Sequence, residues 1–156
     1  MAVDRTLIKD LSKQLKTSRI LTPGSEYYAE KIKRWSLCAE RQAGAIVVAE
    51  SAEDISQTIL FSKENSISIA VCGGGHSIAG SSSVEGGIVI DLSSMRNVHV
   101  DPNNKIITAQ GGALWVDVDV ATGKYGLATV GGTVNHTGIG GQARACRWKH
   151  RHCFRD

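Results

Sequence analysis

Long apolar runs, proline and cysteine are what this 156-residue chain has least of. No run approaches the ~20 apolar residues of a membrane-spanning helix, so no bilayer crossing is expected. Two prolines among seventeen glycines exclude a collagen-like chain. Four cysteines are too few for a disulfide-packed miniprotein, and Cys38 and Cys72 stand far apart. Residues 1–16 mix acids with bases and have no apolar centre, so they are no secretory or transit peptide, and a cytoplasmic protein is expected. With 42% hydrophobic and 21% charged residues the chain is no disordered polymer either. A chain of this length buries roughly two-thirds of its unfolded surface, enough for one cored domain.

Charge divides the chain. The formal net charge is +3, yet residues 142–156 hold Arg144, Arg147, Lys149, Arg151 and Arg155 against Asp156 alone. The remaining body is close to neutral and contains every glycine. Three segments follow: a helical extension over 1–41, a glycine-rich body over 42–141 and a basic tail over 142–156. In the tail, Cys146, His150, His152 and Cys153 match no standard zinc spacing, and no metal is assigned. Five basic residues beside Trp148 and Phe154 invite a nucleic-acid reading. No nucleic acid is taken as partner.

Hydrophobic periodicity supplies the elements. Leu7, Ile8, Leu11 and Leu15 repeat at helical spacing, with Asp4 as N-cap. After the Pro23-Gly24 turn, residues 26–37 suit a second helix with Tyr27, Tyr28, Ile32 and Trp35 on its apolar side. Ala45–Ala49 is a continuous apolar run, the mark of a strand buried on both faces. Ser51 and Asp54 stand in capping-box positions, and Ala52, Ile55, Ile59 and Leu60 form an apolar stripe ending at Asn65. Residues 67–71 then read as a strand, which makes a βαβ unit with a parallel pair. Residues 88–92 form a further strand. Residues 98–100 and 106–109 flank a turn over 101–104, an antiparallel hairpin. A short helix runs from Ala113 to Thr122. The class is α+β, a small parallel unit followed by a mixed or antiparallel sheet. Trp35 and Trp115 are expected in the core, His99 as an alternating strand residue, His136 as loop structure and Asp91 as an Asx-turn anchor.

Two uncharged glycine loops carry the chemistry. The first runs from Cys72 through Gly73, Gly74, Gly75, His76, Ser77 and Gly80 to Ser83, directly after a strand, where open α/β sheets bind ligands. Its amides and hydroxyls suit a phosphate, but it has neither the lysine of a P-loop nor the helix of a Rossmann fingerprint. The second loop spans Gly131 to Gly141, with Thr133, Val134, Thr137, Gly138, Ile139 and Gly140. Taken singly such a loop is more often a tight turn than a ligand site, but two in one small domain shift the balance toward a dinucleotide, whose pyrophosphate needs many N–H donors.

The run Ile69 to Ser77 resembles the signature of FAD-linked oxidases with a p-cresol methylhydroxylase-type flavin domain, most closely the berberine-bridge-enzyme-like branch. Gly86 to Ser93, Met95-Arg96, Gly111 to Ala113, Tyr125 to Leu127 and the second loop match in order, so the resemblance covers about 42–141. It implies FAD as cofactor, with His76 matching the histidine attached to the flavin 8α-methyl group. Cys72, Gly73, Gly74, Gly75, Ser77 and Gly80 match one cofactor loop. Thr133, Val134, Thr137, Gly138, Ile139 and Gly140 match the other. Cys72 stands where many relatives have arginine, and Val134 where some have a second attachment cysteine.

The resemblance also implies a longer protein acting on a small alcohol- or amine-like substrate, with oxygen as acceptor. In relatives the catalytic groups follow in sequence, so none is assigned here. The chain reads as an N-terminal portion whose tail composition suits a shifted reading frame or altered splice junction. The alternative is a flavin-binding or unstable fragment without activity, exposing apolar surface that a missing half would cover.

Overall fold

The computed structural model describes residues 3–141 and the backbone of Cys153–Phe154. The tail side chains considered for metal or nucleic acid lie outside the described residues. Helix α1 (Arg5–Gln14) is capped by Asp4, whose carboxylate accepts from Thr6 N at 2.9 Å, as its sequence predicts. Strand β1 (Arg19–Leu21), the short helix α2 (Tyr28–Lys31) and a 3₁₀ turn (Leu37–Ala39) follow. Then come β2 (Ala45–Val48), α3 (Ala52–Glu64), β3 (Ile69–Cys72) and β4 (Ile88–Asp91). The antiparallel hairpin β5 (Val98–Asp101) and β6 (Ile106–Ala109) stands where it is expected. Helix α4 (Trp115–Gly123) and β7 (Ala128–Thr129) complete the body, and β7 pairs antiparallel with β8 (Cys153–Phe154).

The main sheet has the order β1-β2-β4-β3, so the fold is α+β with mixed pairing. Here the expected parallel pair needs correction. Strands β2 and β3 are parallel, yet β4 lies between them and pairs with both. A βαβ crossover reads the same in sequence whether it skips a strand or not. β4 is buried along its length, with Ile88, Val89 and Ile90 apolar, and this suits a central position that a hydropathy pattern cannot distinguish from its neighbours'. Strand β1, which periodicity missed, adds antiparallel to β2 and supplies one edge.

Successive residues of β2 and β4 point to opposite faces. Ile46, Val48 and Val89 pack with Tyr28, Ala43 and Cys72 on one face. Ala45, Val47 and Ile88 pack with Leu11 of α1 and Phe61 of α3 on the other. The β2 expectation, burial on both faces, is met.

Two helices depart from their sequence patterns. Helix α3 turns Asp54, Thr58, Phe61 and Ser62 inward and leaves Ala52, Ile59 and Leu60 exposed. Thr58 and Asp54 are satisfied locally or by the preceding loop, whereas Ser62 Oγ is buried without a hydrogen-bond partner among the described residues. Thr58 Oγ1 donates to Asp54 O at 2.7 Å, and the Asp54 carboxylate accepts from residues 16–18. Ser51 caps Asp54 N at 3.1 Å, but the other half of the expected capping box is absent because Asp54 faces that loop.

The helix expected over 26–37 is only four residues long. Tyr27 sits at φ 65°, and the Arg34 guanidinium donates to Lys31 O at 2.9 Å and Lys33 O at 2.7 Å. Those carbonyls would otherwise accept the next helical amides, so the turn ends there. Tyr28 is buried, whereas Tyr27 and Trp35 are exposed. Among the described residues, no helix is long and apolar enough to cross a membrane.

Candidate functional site

Three segments meet beyond the carboxyl ends of β3 and β4. Leu92 N donates to Cys72 O at 2.9 Å, which fixes where the first loop leaves the sheet. The second loop is tied to the start of α4: Trp115 N donates to Thr137 O at 3.0 Å and Ile139 N to Ala113 O at 3.1 Å. The third segment follows α2 and contributes Arg34 and Trp35.

The two loops touch at Gly74 and Gly138. A Cβ on Gly74 would lie 2.3 Å from Gly138 N, and one on Gly138 would lie 2.5 Å from Gly74 N. Backbones this close require glycine on both sides. Trp115 props the second loop from below, since a Cβ on Gly131 would come within 2.6 Å of its ring. It is therefore half-buried under a loop, where a core position was expected. Thr133 and Val134 are exposed at the loop tip, and Thr137 closes the turn by donating to Val134 O through N (3.2 Å) and Oγ1 (2.7 Å). Gly140 is exposed and Ile139 half-buried at the end of the loop.

On the first loop, Gly75 (φ 70°) and Gly80 (φ 74°) make the left-handed turns. The amides of Gly74, Gly75, His76 and Ser77 find no acceptor among the described residues. Ser77 Oγ pairs with Ser81 Oγ at 2.8 Å. His76 Nδ1 lies 2.8 Å from Gly74 O. A carbonyl only accepts, so in the neutral ring the proton sits on Nδ1 and Nε2 keeps its lone pair. Nε2 is buried without a hydrogen-bond partner, as are the hydroxyls of Ser82 and Ser83. Buried polar atoms without partners are rare, and three here belong to one loop.

The rim is not electrically bare. Arg34 is buried, and its guanidinium donates twice to Ser82 O, at 3.1 and 2.8 Å, so it pins the far end of the first loop. Lys31 Nζ stands 3.7 Å from the Asp91 carboxylate and also donates to Ser93 Oγ. Asp91 Oδ1 accepts from Ser93 N at 2.7 Å, the Asx turn its sequence position suggests. Burial pushes the Cys72 thiol up; Arg34 and Lys31 oppose the shift and Asp91 adds to it. Cys72 is thus a core thiol beneath the loop, with Sγ 3.7 Å from the Cβ position of Gly75.

Sequence reasoning missed two rings. Trp35 is 69% exposed and stacks on His76, with centroids 5.2 Å apart and planes 22° apart. His136 also leaves its expected role as plain loop, its ring lying 5.1 Å from that of His76. One signal was available for the second: each glycine loop carries one histidine.

These features fit a dinucleotide cofactor. Free amides and orphaned hydroxyls can meet a pyrophosphate, glycines admit it closely, and neither loop contains a carboxylate to repel it. The fold and loops thus suit a dinucleotide-binding domain. Residues 43–153 match the family model described as FAD binding domain, and the chain belongs to that family. It is 43% identical over 117 residues to the FAD-linked oxidoreductase pgmH of Aspergillus terreus, covering 74% of this chain and 24% of that one. The 6-hydroxy-D-nicotine oxidase of Arthrobacter nicotinovorans superposes with a TM-score of 0.78 at 25% identity, over 81% of this chain and 28% of that one. A BBE-like 1 variant from Physcomitrella patens shares the fold, with a TM-score of 0.80 at 21% identity over 88% and 30% of the two chains. The chain spans about a quarter of the length of the curated relatives it matches.

Proposed function

We propose that this chain is the FAD-holding portion of an oxidoreductase that oxidises an alcohol- or amine-like carbon with dioxygen as acceptor, and that His76 is its covalent flavin ligand. When bound, FAD supplies two-electron acceptance. The glycine loops hold its pyrophosphate through the amides of residues 74–77 and the contact of Gly74 with Gly138. The observation that carries the reading is His76 itself: Nδ1 is held by Gly74 O, which leaves Nε2 as an unpartnered nucleophile. His76 would hold the flavin through an Nε2–carbon bond to its 8α-methyl carbon. The imidazole gives up one proton and the methyl group the other, with dioxygen taking both protons and the two electrons as hydrogen peroxide.

A second reading, binding without turnover, is favoured by apolar exposure. Ile69 and Val71 on edge strand β3 are 38% and 48% exposed, and Ile59 and Leu60 of α3 are exposed as well. Peroxide release with alcohols, sugars or amines separates the two readings.

The test of the first reading is retention of flavin after denaturation of the 156-residue chain loaded with FAD. The wild type is expected to keep flavin absorbance at the mass of the chain, and His76→Ala to release it all. Flavin bound in the folded wild type but freed by denaturant would end the covalent assignment. No binding by the folded chain would end the cradle assignment.

A further inference from the structure

We infer that Trp35 and His136 are positioning residues for His76: their rings hold its imidazole in the orientation and tautomer that attachment requires. The inference rests on the covalent role proposed for His76. Three rings from three separate segments converge here. Trp35 lies on His76 at 5.2 Å and 22°, His136 at 5.1 Å and 50°, and Trp35 and His136 are 5.6 Å apart.

The convergence is anchored in the backbone. Trp35 N donates to Gly75 O at 3.2 Å, while the neighbouring Arg34 side chain grips Ser82 O. Residues 34 and 35 thereby clamp both ends of the first loop. His136 arrives on the second loop, which is bound to α4 through Asn135 O and Thr137 O.

The physical need is plain. The terminal torsion of histidine is broad, and one hydrogen bond through Nδ1 does not fix where Nε2 aims. A nucleophile displaced by about 1 Å loses on the order of a hundredfold in rate. Stacking by Trp35 restricts ring rotation, and the tilted His136 ring closes the remaining side. An indole left 69% exposed adds little to a core, so its place over His76 is its main contribution.

The experiment compares Trp35→Ala, Trp35→Phe and His136→Ala in the full chain. The rate at which flavin becomes resistant to denaturation is read against the FAD dissociation constant of each variant in a His76→Ala background. Trp35→Ala is expected to slow attachment by about tenfold or more with the dissociation constant changed less than about threefold. Trp35→Phe restores most of the rate, and His136→Ala slows it by a smaller factor. Nitrogen chemical shifts of His76 in the chain without FAD give an independent reading. The wild type shows the Nδ1–H tautomer, and Trp35→Ala a mixture of the two. Attachment at the wild-type rate in Trp35→Ala, or equal loss in Trp35→Phe, overturns the inference. If the wild type itself retains no flavin, the covalent proposal has failed. The tautomer then decides alone, and an unchanged one in Trp35→Ala overturns the clamp. His136 is exposed, so its variant keeps the test open if Trp35→Ala does not fold.

Discussion

Gly74→Ala is expected to abolish measurable FAD binding while the main sheet stays folded. The new Cβ would fall 2.3 Å from Gly138 N and 2.7 Å from Gly138 Cα, both backbone atoms with no rotamer to give way. Neither loop can slide aside cheaply. Cys72 O is tied to Leu92 N, and Thr137 O and Ile139 N are tied to the start of α4. The loops must therefore part, and the amides that would face a pyrophosphate part with them. Forced overpacking of this kind costs about 1–3 kcal/mol, which lowers the melting temperature modestly. Titration calorimetry with FAD checks the binding, and far-ultraviolet circular dichroism the fold. Gly123→Ala, where nothing lies within 4 Å of the added carbon, is the control and is expected to bind as wild type. Wild-type affinity in Gly74→Ala would mean that the two-loop contact plays no part in cofactor binding.

Asp54→Ala is expected to lower unfolding stability by about 3 kcal/mol or more, because it strips one acceptor from five donors. The carboxylate accepts Lys16 N at 2.9 Å, Thr17 N at 3.0 Å and Ser18 N at 2.8 Å, with the hydroxyls of Thr17 and Ser18 at 2.9 and 2.7 Å. It is fully buried and joins the loop after α1 to the first turn of α3. Burial pushes its pKa up, but the hydrogen bonds from Lys16, Ser18 and Thr17 outweigh it and hold the carboxyl far below the usual range. A depressed carboxylate stabilises the fold fully above its unfolded pKa, near ~3.9, and loses that contribution as pH falls below it toward the folded value. The stability gap between wild type and Asp54→Asn should therefore be constant from pH 7 to about pH 5 and shrink in more acidic solution. Urea midpoints across that range measure it. A gap independent of pH down to 3 would sink the assignment. FAD affinity should be unaffected, since the Asp54 carboxylate bonds to residues 16–18 and to no residue of the glycine loops.

What could be read from residues alone, and what could not, follows from the range of the forces involved. Local chemistry was legible: Asp4 and Ser51 cap their helices, Asp91 anchors its turn, and the apolar run 45–49 is buried on both faces. Each depends on groups a few residues apart or on one strand's own pattern. The two glycine loops were legible too, because each is an uncharged, glycine-rich run contained in one stretch of sequence. The face of α3 was not. Asp54 and Ser62 look like solvent residues until the loop over 16–18 is known to donate to the first.

By itself, the sequence determined the α+β class, the strand at the root of the first loop and the pair of loops suited to a dinucleotide. It did so because capping, turn chemistry and burial patterns act over one turn or one strand. Only the tertiary structure decided that β4 lies between β2 and β3, that Gly74 meets Gly138, and that Trp35 leaves the core to stack on His76. Those contacts join residues tens of positions apart. Their energies depend on which backbones approach within a few ångströms, and a hydropathy pattern holds no record of that distance.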